Sequence, residues 1–344
     1  MRTVVVTGAQ GFVGRYLVAR LLASDPAVCV VGLGRSPRSD GCFTHTVRCG
    51  VETVAAPIPA ELIRESHKTR YRYVSLDLCD QRALGRLIEQ SAPISVFHLA
   101  SGLKGDSDSS LRRSTVDASR ALFDAIGQAP RCVERLVVAS SAAVYGSVAT
   151  LPILEASPCC PLDSYGRAKL AVEQAAERLK REGNTDVVIA RLFNLVGPGQ
   201  DERHVCGRLA SRIAGISRGD LPADLEVGDL DSTRDFIDVR DAARALELLG
   251  NSLTAAEVYN VSAGRETRIR YILETLVRVA DLQDLNVRSG NQGVSAISRH
   301  VGDPSRLGHL GFVNQYGLRK SLSELLEYYL KLYARHDRMA YVEG

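Results

Sequence analysis

The chain has 344 residues, enough for one large α/β unit or two closely joined lobes around a sizeable core. Its 43 Lys and Arg against 40 Asp and Glu leave a net charge of +3, too small an excess to argue for nucleic acid or an anionic membrane as partner. With 45% hydrophobic and 24% charged residues, 29 Gly and no Trp, the composition is that of a globular protein and excludes disordered, collagen-like and coiled-coil classes.

The first residues, Met1-Arg2-Thr3-Val4-Val5-Val6-Thr7-Gly8, read as an apolar strand running into a glycine turn, with no apolar leader and no small-residue cleavage site; a cytoplasmic location is expected. No window approaches the ~18 uninterrupted apolar residues of a membrane span. Strands are predicted at 3–7, 28–33, 72–76, 94–99, 135–140 and 187–191. Between them Gly11–Ala23, Gln81–Ser91, Leu111–Gly127 and Ser164–Glu182 carry apolar residues at helical spacing. This alternation predicts an α/β fold, a doubly wound parallel sheet with a smaller C-terminal lobe. Residues 35–70 hold Pro37, Gly41, Gly50, Pro57 and Pro59, fit neither period, and read as a long surface excursion that covers part of a cofactor site. After Asn194 come Gly- and Pro-rich loops, a helix near Val205–Arg218 and an amphipathic helix near Leu318–Ala334; Val258–Val261 reads as a strand returning to the main sheet. The expected division is a dinucleotide-binding part at 1–190, rejoined near 234–262, and a substrate-binding part made mainly of 191–344. The eight cysteines, at 29, 42, 49, 79, 132, 159, 160 and 206, form no C-x-x-C pair and read as small apolar residues.

The chemistry-bearing motifs begin at Gly8-Ala9-Gln10-Gly11-Phe12-Val13-Gly14, between the first strand and the first helix. Glycines there let backbone approach a pyrophosphate at the helix N-terminus. The second strand ends in Gly34-Arg35-Ser36, with no carboxylate for the adenosine ribose; a guanidinium and a hydroxyl suit a 2′-phosphate, so NADP(H) is expected ahead of NAD(H). Asp77-Leu78 is placed at the adenine, and Leu99-Ala100-Ser101 on the nicotinamide side. Tyr165 and Lys169 stand four residues apart on one helix face, and Ser141 ends a strand 24 residues earlier. A nearby ammonium and the positive nicotinamide ring would favour phenolate, bringing Tyr165 within reach of acid/base work. His98, inside the run Val96-Phe97-His98-Leu99-Ala100, reads as a core histidine; with no Cys, His and carboxylate cluster at ligand spacing, no metal is expected.

These residues, together with Arg191-Leu192-Phe193-Asn194, Gly197-Pro198-Gly199-Gln200 and Arg234-Asp235-Phe236, resemble the extended short-chain dehydrogenase/reductase family of sugar-nucleotide epimerases, dehydratases and reductases, whose fold is a Rossmann sheet. The resemblance implies a catalytic trio of Ser141, Tyr165 and Lys169, a nucleoside-diphosphate sugar as substrate with Ser101 beside it and Asn194 and Arg234 on its diphosphate, and a homodimer through the helices at 111–127 and 164–182. Gly228-Asp229-Leu230 and Gly302-Asp303-Pro304-Ser305-Arg306-Leu307 look most like the GDP-4-keto-6-deoxy-mannose reductases. The expected activity is therefore NADPH-dependent reduction of the C4 ketone of a nucleotide-linked 4-keto-6-deoxyhexose. A nucleotide-sugar 4-epimerase with retained NAD, or a non-catalytic NADP-binding regulator, are the alternatives. The dehydratases of this family carry an Asp-Glu pair directly after the catalytic hydroxyl residue, where this chain has Ala142-Ala143.

Overall fold

The computed structural model describes residues 2–50, 52–62, 69–129, 133–183, 185–252, 256–289 and 297–340, with residues 289 and 335–340 described by backbone alone. The β-branched run Val4-Val5-Val6 sits in β1 (Arg2–Thr7), buried on both faces as a central parallel strand requires. There follow α1 (Phe12–Ser24), β2 (Val28–Gly34), β3 (Cys42–Cys49), β4 (Glu52–Pro57), β5 (Tyr71–Ser75), α2 (Gln81–Ser91) and β6 (Ser95–His98). Next come α3 (Asp108–Leu111), a π-wound turn (Arg112–Asp117), α4 (Ala118–Gly127), β7 (Arg135–Ser141), α5 (Ser164–Glu182) and β8 (Asp186–Leu192). The remainder is β9 (Asn194–Val196), α6 (Val205–Ser217), β10 (Asp224–Val227), β11 (Thr233–Asp238), α7 (Val239–Asn251), β12 (Val258–Val261), β13 (Glu266–Arg268), α8 (Ile269–Val279), β14 (Asn286–Ser289), β15 (Arg299–His300), α9 (Ser305–Gly308) and α10 (Leu318–Ala340).

Seven parallel strands form one sheet in the order β12-β8-β7-β6-β1-β2-β5. Period-two alternation divides the core: Val4 and Val6 face α1 and α7, whereas Val5 faces α2, α4 and α5. From β1 the chain winds outward to β2 and β5, then crosses back to β6 on the other side of β1 and winds outward again. The connections leaving β1 and β6 therefore diverge and open a crevice at the carboxyl ends of the strands. Among the described residues no helix is long and apolar enough to cross a membrane.

The expected surface excursion at 35–70 is corrected. Its described part contains an antiparallel hairpin, β3 with β4, paired at Thr46 with Ala55, Val47 with Val54 and Arg48 with Thr53. Phe43, Val47, Cys49, Ala56 and Ile58 are buried in the core shared with α6 and α10. The alternation is present in Phe43, His45, Val47 and Cys49, but a histidine within it and threonines beside it mask the period. What buries it belongs to distant segments: Tyr328 Oη donates to the Pro57 carbonyl at 3.0 Å, and His45 Nε2 lies 2.8 Å from the Gly199 carbonyl oxygen. Gly199 needs its freedom here, at φ +88° and with Phe43 only 2.3 Å from where a Cβ would stand. The predicted helix at 111–127 is also interrupted, its first part being wound as the π turn. Cys49 and Cys206 pack in the core and Cys160 is exposed, while Cys132 lies outside the described residues.

Two wholly buried carboxylates tie α10 to the rest. Asp238 caps α7, accepts from the Arg240 amide at 2.8 Å and takes the Ser321 hydroxyl at 2.6 Å, while Asp241 accepts from the Gln315 and Tyr316 amides at 2.9 and 3.0 Å. Arginine side chains complete both: Arg240 forks onto Asp238 with Nε at 2.8 Å and Nη2 at 2.7 Å, and Arg244 Nη1 donates to Asp241 at 2.7 Å.

Candidate active site

A cavity of about 1960 Å³ opens over the carboxyl ends of β1, β2, β6, β7 and β8, with β9 to β11, α6 and the hairpin on its far side. All the site residues singled out above line it: the glycine turn, Arg35 and Ser36, Asp77 and Leu78, Leu99 to Ser101, the Ser141, Tyr165 and Lys169 trio, and Asn194 with Arg234.

Gly8 and Gly14 of the glycine turn are glycine by steric necessity. Gly8 has φ +68° and a Cβ there would lie 2.9 Å from the Ala100 nitrogen; at Gly14 it would lie 2.1 Å from the Gly8 oxygen. Gly11 begins α1 with no side-chain cap, so Phe12, Val13 and Gly14 in the first turn present the helix N-terminus to the cavity. The cradle is braced from behind: the buried Gln10 donates from Nε2 to the Pro37 carbonyl at 2.9 Å and accepts from the Ser39 amide at 2.6 Å. At the adenosine end, Tyr73 Oη donates to the Ser36 carbonyl at 2.8 Å and Ser75 Oγ to the Arg35 carbonyl at 3.1 Å. These bonds fix the backbone of Arg35 and Ser36 and leave the Arg35 side chain exposed at the cavity rim. Asp77 accepts from the Cys79 amide at 3.0 Å and from Arg113 at 3.2 Å, and these donors, the amide first, hold its carboxyl below the usual range.

The corner after β6 is set by a buried chain of hydrogen bonds. Ser119 Oγ donates to the Thr115 carbonyl and so accepts from His98 Nε2 at 2.7 Å; His98 Nδ1 then accepts from Thr7 Oγ1 at 2.8 Å. Thr7 Oγ1 in turn accepts from the Leu99 and Ala100 amides, both at 3.1 Å. Burial, aided by the Lys169 charge, pushes the His98 imidazole down to about 3, so it stays neutral and serves as a structural link. Ser101 turns its hydroxyl to the Gly102 carbonyl at 2.8 Å.

Tyr165 and Lys169 stand one turn apart on α5, which starts at Asp163, whose carboxylate accepts from the Gly166 amide at 2.8 Å. Gly166 allows the close approach of α5 to the turn after β7, since a Cβ there would lie 2.6 Å from the Ala143 oxygen. That approach brings the Tyr165 hydroxyl to the Ser141 side chain. Burial pushes the Tyr165 phenol up to about 12 against the opposing Ser141 hydrogen bond. Lys169 Nζ donates to the Ala139 carbonyl at 2.9 Å, sits 5.9 Å from the Tyr165 ring centre, and is itself driven down to about 8 by burial.

Sequence reasoning missed the support behind Lys169. Glu173, the next turn of α5, is buried; it receives the Ser140 hydroxyl and a forked contact from Arg191, with Nε at 3.1 Å and Nη2 at 2.7 Å. Arg191 also lies over the Tyr145 ring, 4.8 Å from its centre. The Glu173 charge favours the ammonium of Lys169 against its burial. Tyr165, Lys169 and Glu173 are spaced i, i+4, i+8, a signal in the sequence itself, whereas their meeting with Arg191 across 18 residues is not.

Across the cavity, β9 pairs with β11, placing Asn194 opposite Phe236, and Asn194 Nδ2 donates to the Asp235 carbonyl at 3.1 Å. Arg234 is one residue away, partly buried, its Nη1 donating to the Thr233 carbonyl at 2.7 Å. Asp235 points the other way and gathers the amides of Ala263, Gly264 and Gly302 at 2.8 to 3.2 Å; burial lifts its carboxyl to about 6 in spite of them. Among the described residues no three His, Cys, Asp or Glu are grouped to hold a metal ion.

The pattern of the NAD-dependent epimerase/dehydratase family matches residues 4–262, and the chain belongs to that family. It is an NAD(P)-dependent enzyme of the extended short-chain dehydrogenase/reductase type. It is 29% identical to the dTDP-6-deoxy-L-talose 4-dehydrogenase (NAD(P)(+)) of Kitasatospora kifunensis over 280 residues, 80% of this chain and 78% of that one. To the GDP-6-deoxy-D-mannose reductase of Pseudomonas aeruginosa it is 39% identical over 146 residues, 42% of this chain and 48% of that enzyme. The structure of RMD from Pseudomonas aeruginosa complexed with NADPH superposes with a TM-score of 0.78 and 27% identity, over 96% of this chain and all of that one. UDP-sugar 4-epimerases stand among the other relatives.

The Glu173 cluster generates a stability prediction. Glu173→Ala leaves the Arg191 guanidinium buried without its carboxylate, which costs roughly 3–5 kcal/mol. Chemical denaturation of the purified variant should show that loss, while Glu173→Gln, which keeps one acceptor oxygen, should lose less.

Proposed function

We propose that this enzyme reduces the C4 ketone of a nucleotide-linked 4-keto-6-deoxyhexose with NADPH. The observation that carries the reading is the adenosine end of the cavity, where Arg35 is exposed at the rim and β2 ends without a carboxylate, in the same cleft as Tyr165 and Ser141. The glycine turn from Gly8 to Gly14, with Arg35 and Ser36, would hold NADPH, which would supply the hydride for C4. Tyr165 gives its proton to the C4 oxygen as that oxygen gains charge, and Ser141 donates a hydrogen bond to the same oxygen. Lys169, anchored on the Ala139 carbonyl, keeps a positive charge below the developing oxyanion. The forked guanidinium of Arg234 and the amide of Asn194 hold the substrate's diphosphate across the cleft. The methyl groups of Ala142 and Ala143 transfer no protons, so water is not removed across C5 and C6. Relatives named for C4 oxidation or reduction of 6-deoxyhexose nucleotides support the substrate class.

The trio would serve a 4-epimerase equally well; what favours reduction is the adenosine end. There Arg35 is exposed at the rim and no carboxylate ends β2, an arrangement that suits an exchanging NADPH. Purified enzyme given a GDP- or dTDP-linked 4-keto-6-deoxyhexose and stoichiometric NADPH should consume the NADPH. Tyr165→Phe should bind NADPH as before and turn over at least about a hundredfold more slowly. Interconversion of UDP- or GDP-hexoses at C4 without added cofactor would replace this reading by the epimerase.

Arg35 provides a second test. Wild type should bind NADPH more tightly than NADH in fluorescence titration, and Arg35→Asp should reverse the order; equal affinities in both proteins would return Arg35 to the solvated surface.

A further inference from the structure

Two buried side-chain atoms of residues lining the cavity, Gln200 Oε1 and His300 Nε2, have no hydrogen-bond partner among the described residues, and His300 is the one beside Arg234. His300 is 5% exposed, lines the cavity, and its Nε2 makes no hydrogen bond among the described residues. Nearly all buried polar side-chain atoms in native proteins are paired, and leaving one unpaired costs about 1–3 kcal/mol. An uncompensated nitrogen in a ligand cavity is accounted for when the ligand completes it.

The position of His300 is tightly set. Strand β15 runs parallel to β11 with His300 in register with Arg234, so the imidazole and the guanidinium are neighbours. The ring packs on Phe193 at 5.4 Å between centres with 35° between planes, immediately before Asn194 in the chain. Gly302 keeps Phe193 in place, since a Cβ there would stand 2.5 Å from the Phe193 ring. Val301 accepts from the Ile153 amide at 2.8 Å, and Asp303 donates its amide to the Ile153 carbonyl at 2.9 Å, so the backbone on either side is pinned.

Its chemistry is narrowed by its neighbours. Burial and the nearby cations Arg234 and Lys104 push the imidazole down to about 4, so it is neutral at physiological pH. A neutral imidazole offers a hydrogen bond and no charge. Phosphate oxygens accept from cations, which Arg234 and Lys104 provide, whereas a sugar hydroxyl both donates and accepts and suits either tautomer.

Resting on the nucleotide-sugar reading above, we infer that His300 is a substrate-binding residue whose Nε2 hydrogen-bonds a hydroxyl of the hexose, next to the diphosphate held by Arg234. It separates recognition of the sugar from recognition of the nucleotide: removing it weakens the sugar nucleotide and leaves the bare nucleoside diphosphate unaffected.

The experiment compares GDP-mannose, dTDP-glucose and UDP-glucose with GDP, dTDP and UDP by calorimetry on the NADPH-loaded enzyme. Wild type should bind at least one sugar nucleotide more tightly than its diphosphate. His300→Phe, which keeps the ring on Phe193, should lose roughly tenfold for the sugar nucleotide alone, the scale of one hydrogen bond; His300→Gln, with an amide in the place of Nε2, should recover most of it. In wild type the ¹⁵N resonance of His300 Nε2 should move on adding the sugar nucleotide and stay with the diphosphate, a readout that does not depend on a variant folding. Unchanged sugar-nucleotide affinity in His300→Phe, equal losses for sugar nucleotide and diphosphate, or an unmoved resonance would overturn the inference and leave the proposed reaction standing. If wild type binds none of the three sugar nucleotides, the nucleotide-sugar reading fails and the inference falls with it.

Discussion

The structure depends on how closely two backbones meet at the centre of the sheet. At Gly8 the chain leaving β1 passes the corner that follows β6, and the Ala100 nitrogen is 2.9 Å from where any side chain would begin. That contact is fixed by the buried sequence of hydroxyl, imidazole and hydroxyl from Thr7 through His98 to Ser119, in which every donor and acceptor is used. Because β1 and β6 wind in opposite directions from this point, the same contact defines the crevice and the N-terminus of α1 facing it. A methyl group at Gly8 or Gly14 would force backbone apart, which is a stronger restriction than any single hydrogen bond in the site.

The segments after β8 are held to the seven-stranded sheet by buried carboxylates and by the hairpin. Asp235, Asp238 and Asp241 lie within seven residues of chain, are all buried, and point to different partners: the loops at 263 and 302, the α10 hydroxyl of Ser321, and the chain entering α10. The strand β11 that carries Arg234 toward the cavity is therefore anchored by the residues beside it. The hairpin reaches the same region from the opposite side, linking Phe12 in the glycine turn through Phe43 to His45 and the Gly199 carbonyl, with ring centres 6.2 and 5.1 Å apart. The glycine turn, the hairpin and the loop at Gly199 are thereby parts of one packed body.

What could be read from the chain alone was what local chemistry enforces. The glycine turn was legible because no other residue tolerates those contacts, and the pairing of Tyr165 with Lys169 because helical spacing alone puts them on one face. The parallel sheet followed from the alternation of short apolar runs such as Val4-Val5-Val6 with helix-patterned stretches. The β3–β4 hairpin was not legible, since Thr44, His45 and Thr46 hide its alternation and its buried face is completed by α6 and α10, more than a hundred residues away in the sequence. Neither Glu173 nor His300 could be singled out: a glutamate on a helix and a histidine near a strand end are ordinary until Arg191 and Arg234 are found beside them.

The central claim is that the cleft delivers one hydride to C4 and one proton from Tyr165 to the oxygen on it. The most direct measurement uses NADPH carrying deuterium at its transferable position and follows a nucleotide-linked 4-keto-6-deoxyhexose by NMR and mass spectrometry. The account predicts a 4-hydroxy product with one deuterium on C4, formed in step with NADPH oxidation. An inverted 4-hydroxyhexose formed without deuterium, or label anywhere other than C4, would contradict it.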